Sequence, residues 1–177
     1  MNQTIVKTRE AIRRAIAAEV TLSPDAQTLW DAMLSLGMTQ RRGCAVQAIA
    51  LAGWHYSTTV SRVMKVGLPS IHRCLDHLDL CYAAALFDGD DDRVESIARS
   101  IGHGSKQAFR QFTKRTAGLL PAEFRATIPF PAAREAMLDT IVRPYRAQWS
   151  TFERMTPLGK RRLQGTLDRL LEAGVPA

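Results

Sequence analysis

Aromatic side chains are scarce, at 7% of 177 residues, while hydrophobic residues as a whole reach 46%. The interior must therefore be built mainly from aliphatic groups, as expected of an all-α protein with an adequate core. There is no uninterrupted run of about 18 uncharged apolar residues, so no membrane span is expected. The leading MNQTIVKTREAIRR has charges but no apolar stretch behind them, which argues against a secretory signal and for the cytoplasm. No glycine-rich phosphate loop, H-E-x-x-H or G-x-S-x-G pattern occurs. Nothing therefore argues for an enzyme or a bound cofactor. Low-complexity tracts are missing as well.

Cysteine is limited to Cys44, Cys74 and Cys81, with no C-x-x-C pair. Cys74, His77 and Cys81 fall at i, i+3 and i+7, which places two thiols and an imidazole on one helix face. A structural zinc site normally takes four ligands. Core packing is the expected role for these residues, with metal binding or redox sensing as the alternative. The acidic DGDDD run from Asp88 to Asp92 lacks the alternating ligands and closing glutamate of a calcium loop. It reads as a solvated connection, with Asp92 and Glu95 at capping-box spacing before the next helix.

The net charge of +7 is unevenly spread. Residues 1–40 balance, residues 41–87 carry +3, residues 88–92 carry −4, residues 93–126 carry +5, and residues 127–177 carry +3. Basic surface of this kind attracts phosphate backbones, although it also attracts other polyanions. Within the most basic region, Val94, Ile97, Ala98 and Ile101 form an i, i+3, i+4, i+7 apolar stripe, and Gly102 stands where that helix must stop. Ser105 is placed to cap a second helix, whose Phe109 and Phe112 turn inward. Lys106, Gln107, Arg110, Gln111, Lys114 and Arg115 are left outward. Long amide and guanidinium groups pair with purine edges in the major groove, and lysines suit phosphate.

The order Val94, Ile97, Ala98, Ile101, Gly102, Ser105, Phe109, Phe112, Lys114, Arg115, Gly118, Pro121, Phe124, Arg125 resembles the second helix-turn-helix of the AraC/XylS family of bacterial transcription regulators. It departs at His103, where the family usually has an aromatic residue, and at Leu120, where a small hydroxyl residue usually precedes the proline. The resemblance implies a first unit upstream. Ala45, Ala48, Ile49 and Ala52 lead to Gly53, which lies 49 residues before Gly102, about the family's interval. Ser57, Thr58, Thr59, Ser61, Arg62 and Lys65 then fall on the first recognition helix, with Val60, Val63 and Met64 inward. Leu78, Leu80, Ala83, Leu86 and Phe87 resemble the linker helix. Asp79 replaces a usual basic residue there, and the turn before the first recognition helix reads as one residue longer.

These readings divide the chain into an N-terminal helical extension (1–40), a DNA-binding module (41–126) and a C-terminal helical extension (127–177). The module contains helix-turn-helix units at about 44–66 and 93–117, joined by a linker helix at about 70–87. In the extensions, Ile5, Ile12, Ile16 and Val20 have helical spacing, and Ser23, Pro24 and Asp25 start a helix to Leu36 that Gly37 ends. A further helix is expected from Ala132 to Trp149 after the Pro129 and Pro131 break. Another should begin at Thr156 and Pro157, with Leu163, Leu167, Leu170 and Leu171 on one side. Trp30, Trp54 and Trp149 are expected packing anchors, and His55 and His72 surface groups.

The function expected is sequence-specific binding of double-stranded DNA across two adjacent major grooves. The family resemblance adds transcriptional activation through RNA polymerase, with a cytoplasmic protein associated with the nucleoid when bound. Two tandem units favour a monomer over a homodimer. The alternatives are a protein-interaction adaptor on a degenerated DNA-binding fold and a cysteine-based redox- or metal-responsive regulator.

Overall fold

The computed structural model describes residues 3–36, 45–89 and 93–154. Among them every regular element is helical. The sites of Gly37, Cys44, Asp92 and the helix expected from Thr156 with its four leucines lie outside the described residues. No helix among the described residues is long and apolar enough to cross a membrane.

Helix α1 (Gln3–Glu19) buries Ile5, Thr8, Ile12 and Ile16 along one side. Helix α2 (Pro24–Leu36) starts where Ser23, Pro24 and Asp25 direct it to start. The Ser23 hydroxyl accepts from the Ala26 N–H at 3.2 Å, satisfying one of the free donors of the first turn. Two short helices follow, α3 (Ala45–Leu51) and α4 (Tyr56–Lys65). They lead to α5 (Ile71–Phe87), capped by Ser70, which accepts from the Arg73 N–H.

Helix α5 organises everything else. Thirteen of its residues are buried, including every position from Leu78 to Phe87, so it has no solvent face over its second half. A helix buried on every side, here with Asp79 as its one acidic residue between Leu78 and Phe87, must be enclosed by other elements. Here α1, α2 and α3 surround it, together with α6 (Val94–Ser100), α7 (Lys106–Ala117), α8 (Pro121–Thr127) and α9 (Phe130–Met137). Tyr82 projects from α5 to α2, where its hydroxyl donates to the Leu34 carbonyl at 3.0 Å. That carbonyl belongs to the last turn of α2 and lacks a partner within its own helix.

The chain then forms α8 (Pro121–Thr127) and α9 (Phe130–Met137). Asp88, from the acidic connection, accepts from the Phe130 N–H at the start of α9 at 2.8 Å. The sequence reading of one helix from Ala132 to Trp149 needs correction. The helix begins at Phe130, because Pro131 sits in the first turn, where a missing N–H has no consequence. It then widens into a π-helical turn, Leu138–Val142, and tightens into a 3-10 turn, Arg143–Tyr145, before α10 (Arg146–Thr151). Pro144 accounts for the break, since it has no N–H to continue the ladder. The expected capping box at α6 also needs correction: α6 starts after Arg93, and Glu95 pairs with Arg99 one turn on.

Two contacts close the molecule. Glu19, at the end of α1, receives Arg143 at 2.6 Å and also Arg146, and Arg143 reaches Asp139 and Glu135 as well. Beyond α10, residues 152–154 run back as a strap across α2 and α4. Ser23 donates to the Phe152 carbonyl at 2.6 Å, the Arg154 N–H donates to Asp25 at 2.8 Å, and Arg62 donates to the Glu153 carbonyl at 2.8 Å. Trp30 packs on Trp149 at 5.3 Å, and Trp54 on Phe152 at 6.3 Å, so all three tryptophans serve as packing anchors.

The two arginines hold the Glu19 carboxyl down from 4.5 to about 2. A carboxylate lowered in the folded state adds stability above its unfolded pKa and loses it as pH falls through the folded value. Glu19→Gln should therefore unfold at a lower urea midpoint than the parent protein at pH 7. The gap should close as pH falls from about 4.5 to about 2. A gap that stays constant over that range would remove Glu19 ionisation from the closure.

Candidate nucleic-acid interface

The turns between α3 and α4 and between α6 and α7 are built alike. Gly53 and Gly102 both take positive φ, 71° and 83°, a backbone conformation that a Cβ penalises. The Gly53 N–H donates to Ala50 and the Trp54 N–H to Ile49; 49 residues on, the Gly102 N–H donates to Arg99 and the His103 N–H to Ala98. The same shift carries Ala45–Leu51 onto Val94–Ser100. The chain thus repeats a short helix and its glycine turn at an interval of 49 residues, with α5 between the copies.

In the second copy, the Ser105 hydroxyl accepts from the Ala108 N–H at 3.1 Å, so it caps α7 as its position predicts. Phe109 and Phe112 are buried, and His103 lies against them with ring centroids 5.5 and 4.7 Å away. The imidazole therefore fills an aromatic position in the core. At Leu120, the missing hydroxyl leaves half a capping box: Glu123 accepts from the Leu120 N–H at 2.7 Å.

Lys106, Gln107, Arg110, Gln111 and Lys114 are exposed along one face of α7. Their spacing, i, i+1, i+4, i+5 and i+8, makes a continuous stripe opposite the phenylalanines. Lys114 reaches the Gly118 carbonyl at 3.2 Å but keeps its ammonium at the surface. Arg115 is turned aside. It pairs with Asp76 of α5 at 3.4 Å and lies over the Phe112 ring. A shallow groove of ≈ 420 Å³ flanks the stripe, bounded by Lys106, Gln107 and Arg110 on α7 and by Leu120, Pro121 and Ala122.

The first copy departs from its expected face in three places. Thr59 is 2% exposed, and its hydroxyl donates to the His55 carbonyl at 2.8 Å, so it is a core residue. Arg62 is half-buried by its bond to Glu153. Met64, expected inward with Val60 and Val63, is 70% exposed. The turn also differs from its expected length: α4 begins at Tyr56, one residue sooner after its glycine than α7 does. That offset changes which side chains face inward. Ser57, Thr58, Ser61 and Lys65 remain exposed, beside His55, while Val46, Leu51, Tyr56 and Met64 form exposed apolar positions on α3 and α4. Those apolar positions were missed because short helices leave hydrophobic periodicity ambiguous. No local sequence signal joins Arg62 to a carbonyl 91 residues away.

Cys74 and Cys81 are buried on α5, and both are free thiols. Burial pushes each thiol up to about 12. His77 is partly covered, and burial lowers its pKa, with Arg73 adding to the effect. Among the described residues, no group of three or more His, Cys, Asp or Glu side chains is arranged to hold a metal ion. No protein-family model, curated protein or solved structure matches the chain.

Thiolate is the reactive form of cysteine, and these two thiols are both protonated and covered. In a Cys44→Ser background, Ellman's reagent should label neither Cys74 nor Cys81 at pH 7.5 and both after urea unfolding. Rapid labelling of either in the folded protein would revive the cysteine-based alternative.

Proposed function

We propose that the chain is a sequence-specific DNA-binding transcription regulator similar to the AraC/XylS family. Its two repeated segments act as helix-turn-helix units, with α4 and α7 as recognition helices entering adjacent major grooves of one duplex. The observation that carries this reading is the α7 stripe. Three cationic and two amide side chains stand along one side of a helix whose opposite side is fixed by Phe109 and Phe112. Amide and guanidinium groups read base edges, and lysines hold phosphate. A rigid inward face keeps those groups in register with the groove.

Gln107, Arg110 and Gln111 are assigned to base edges, and Lys106 and Lys114 to phosphate. Ser105 positions the helix through its cap, and Arg115 through Asp76. In the first unit, Ser57, Thr58, Ser61 and Lys65 face the duplex, while Thr59 and Arg62 hold α4 in place. The family resemblance supports activation through RNA polymerase, and two tandem units favour a monomer, read as cytoplasmic and joining the nucleoid when bound. The reading assigns no catalytic residue and calls for no cofactor.

One observation favours a second reading for the first unit. Val46, Leu51, Tyr56 and Met64 give α3 and α4 an exposed apolar character unlike the basic α7 stripe. Apolar surface of this kind suits contact with a protein, so α4 can serve as an adaptor surface while α7 holds DNA.

On the operator found by genome-wide mapping, Arg110→Ala and Gln107→Ala should each weaken specific binding by about 1 to 3 kcal/mol and leave nonspecific binding nearly unchanged. Lys114→Ala should weaken both and lower the salt slope by about one. Unchanged affinity in Arg110→Ala would remove α7 from base recognition. Separately, footprinting should show protection in two successive major grooves, about 10 base pairs apart. Protection of one groove alone would assign α4 to a protein partner.

A further inference from the structure

Counted from its first residue, α4 follows the same inside-and-outside pattern as α7. Thr59 and Val63 are buried in α4 where Phe109 and Thr113 are buried in α7, in both cases the fourth and eighth residues of the helix. Each residue advances about 100° around a helix axis, so two helices that bury the same positions turn the same positions outward. Tyr56, Ser57, Val60, Ser61 and Met64 therefore occupy on α4 the places that Lys106, Gln107, Arg110, Gln111 and Lys114 occupy on α7. Tyr56, Ser57, Ser61 and Met64 are exposed, and Val60 is half-buried. The position of the face is shared, but its chemistry is not. Where α7 carries Arg110 and Lys114, α4 carries Val60 and Met64, which have no hydrogen-bond donor to offer.

We infer that the α4 face reads thymine, through apolar contact of Val60 and Met64 with C5-methyl groups in the major groove. The inference rests on the DNA-binding reading of the two helices and names what the first of them recognises. Base edges in the major groove display hydrogen-bonding groups and, on thymine alone, a methyl. An apolar side chain held against a donor or acceptor strips water from it and returns no hydrogen bond. Against a methyl there is no such cost. The unbranched thioether of Met64 adapts to an irregular apolar surface. Ser57 and Ser61, each next in sequence to Tyr56 and Val60, supply short hydroxyls to the polar edges beside a methyl, and the Ser57 hydroxyl also lies 3.1 Å from the His55 imidazole. Charge favours a duplex over a protein as the occupant of this face. From Ala45 to Val66 there is no acidic residue, and Arg62 and Lys65 stand in the last turn of α4.

Deoxyuridine is the probe, since it lacks the C5 methyl of thymidine and keeps every hydrogen-bonding group. The measurement is the affinity of the full chain for the mapped operator with each thymidine replaced in turn, within the groove whose base preference Arg110→Ala leaves unchanged. The parent protein should bind about fourfold more weakly for each contacted methyl removed, the factor expected for burying one group of that size. Met64 is 70% exposed, so Met64→Ala leaves the fold intact, and in that variant at least one of these penalties should vanish. Met64→Leu should restore it. Specific binding with two-groove protection but no deoxyuridine penalty in that groove would overturn the inference and leave the DNA-binding reading standing. A groove without thymine, or a penalty that persists in Met64→Ala, would do the same. Protection of the α7 groove alone would also overturn it and give the α4 face to a protein partner, whereas loss of all sequence-specific binding would remove the DNA-binding reading along with it.

Discussion

The whole arrangement depends on enclosing α5. From Leu78 to Phe87 no side of that helix meets solvent, so its apolar surface is satisfied only when neighbours surround it. Both repeated segments supply part of that enclosure, and so do α1, α2 and α9. The described helices at the two ends are consequently structural walls around α5. Closing them requires polar contacts at the edges: Tyr82 to the last turn of α2, Asp88 to the first turn of α9, and Glu19 to the two arginines. Each satisfies a charged or backbone group near the margin of the core, where burial alone gives no direction.

The repeated turn places a helix after each glycine, and the two helices carry different chemistry. Gly53 and Gly102 set nearly the same backbone path through the turn, but α4 starts one residue sooner than α7, so the outward positions of the two helices are offset by one. The side chains placed there differ. On α7 they are cationic and amide groups; on α4 they are mainly hydroxyls with one lysine. A hydroxyl can donate or accept and is short, so it makes weaker demands on the partner than a guanidinium fork. The two helices therefore share a turn but neither the register nor the charge of their outward faces.

Much of this was legible in the sequence where the determinants are local. Ser23, Ser70 and Ser105 mark helix starts through caps, and Gly102 marks a stop through its φ. The α6–α7 face was readable because Phe109 and Phe112 give an unambiguous inward side. The α4 face was not. Val60 and Val63 fit more than one rotation of a ten-residue helix, and an early start at Tyr56 turned Thr59 in and Met64 out. The fate of Arg62 depended on Glu153, and that of Arg115 on Asp76, both distant along the chain. The break at Pro144 was readable in principle, since its missing N–H is a local property, but the strong helical pattern on either side concealed it.

The strap formed by residues 152–154 gives the two repeated segments different kinetic characters. Helix α7 is secured by its own cap, by aromatic contacts close in sequence, and by Phe87 and Asp76 of α5. Helix α4 is secured through Arg62 and Trp54 to backbone and side chains at the far end of the described chain. A fluctuation that lifts the strap from Ser23 and Asp25 releases α4 while leaving α7 seated. Amide protons on α4 then exchange through a partial opening, whereas those of the enclosed half of α5 exchange only when the whole protein unfolds. The two segments are thereby anchored differently, α7 by its cap and by α5, and α4 by residues 152–154 at the far end of the described chain.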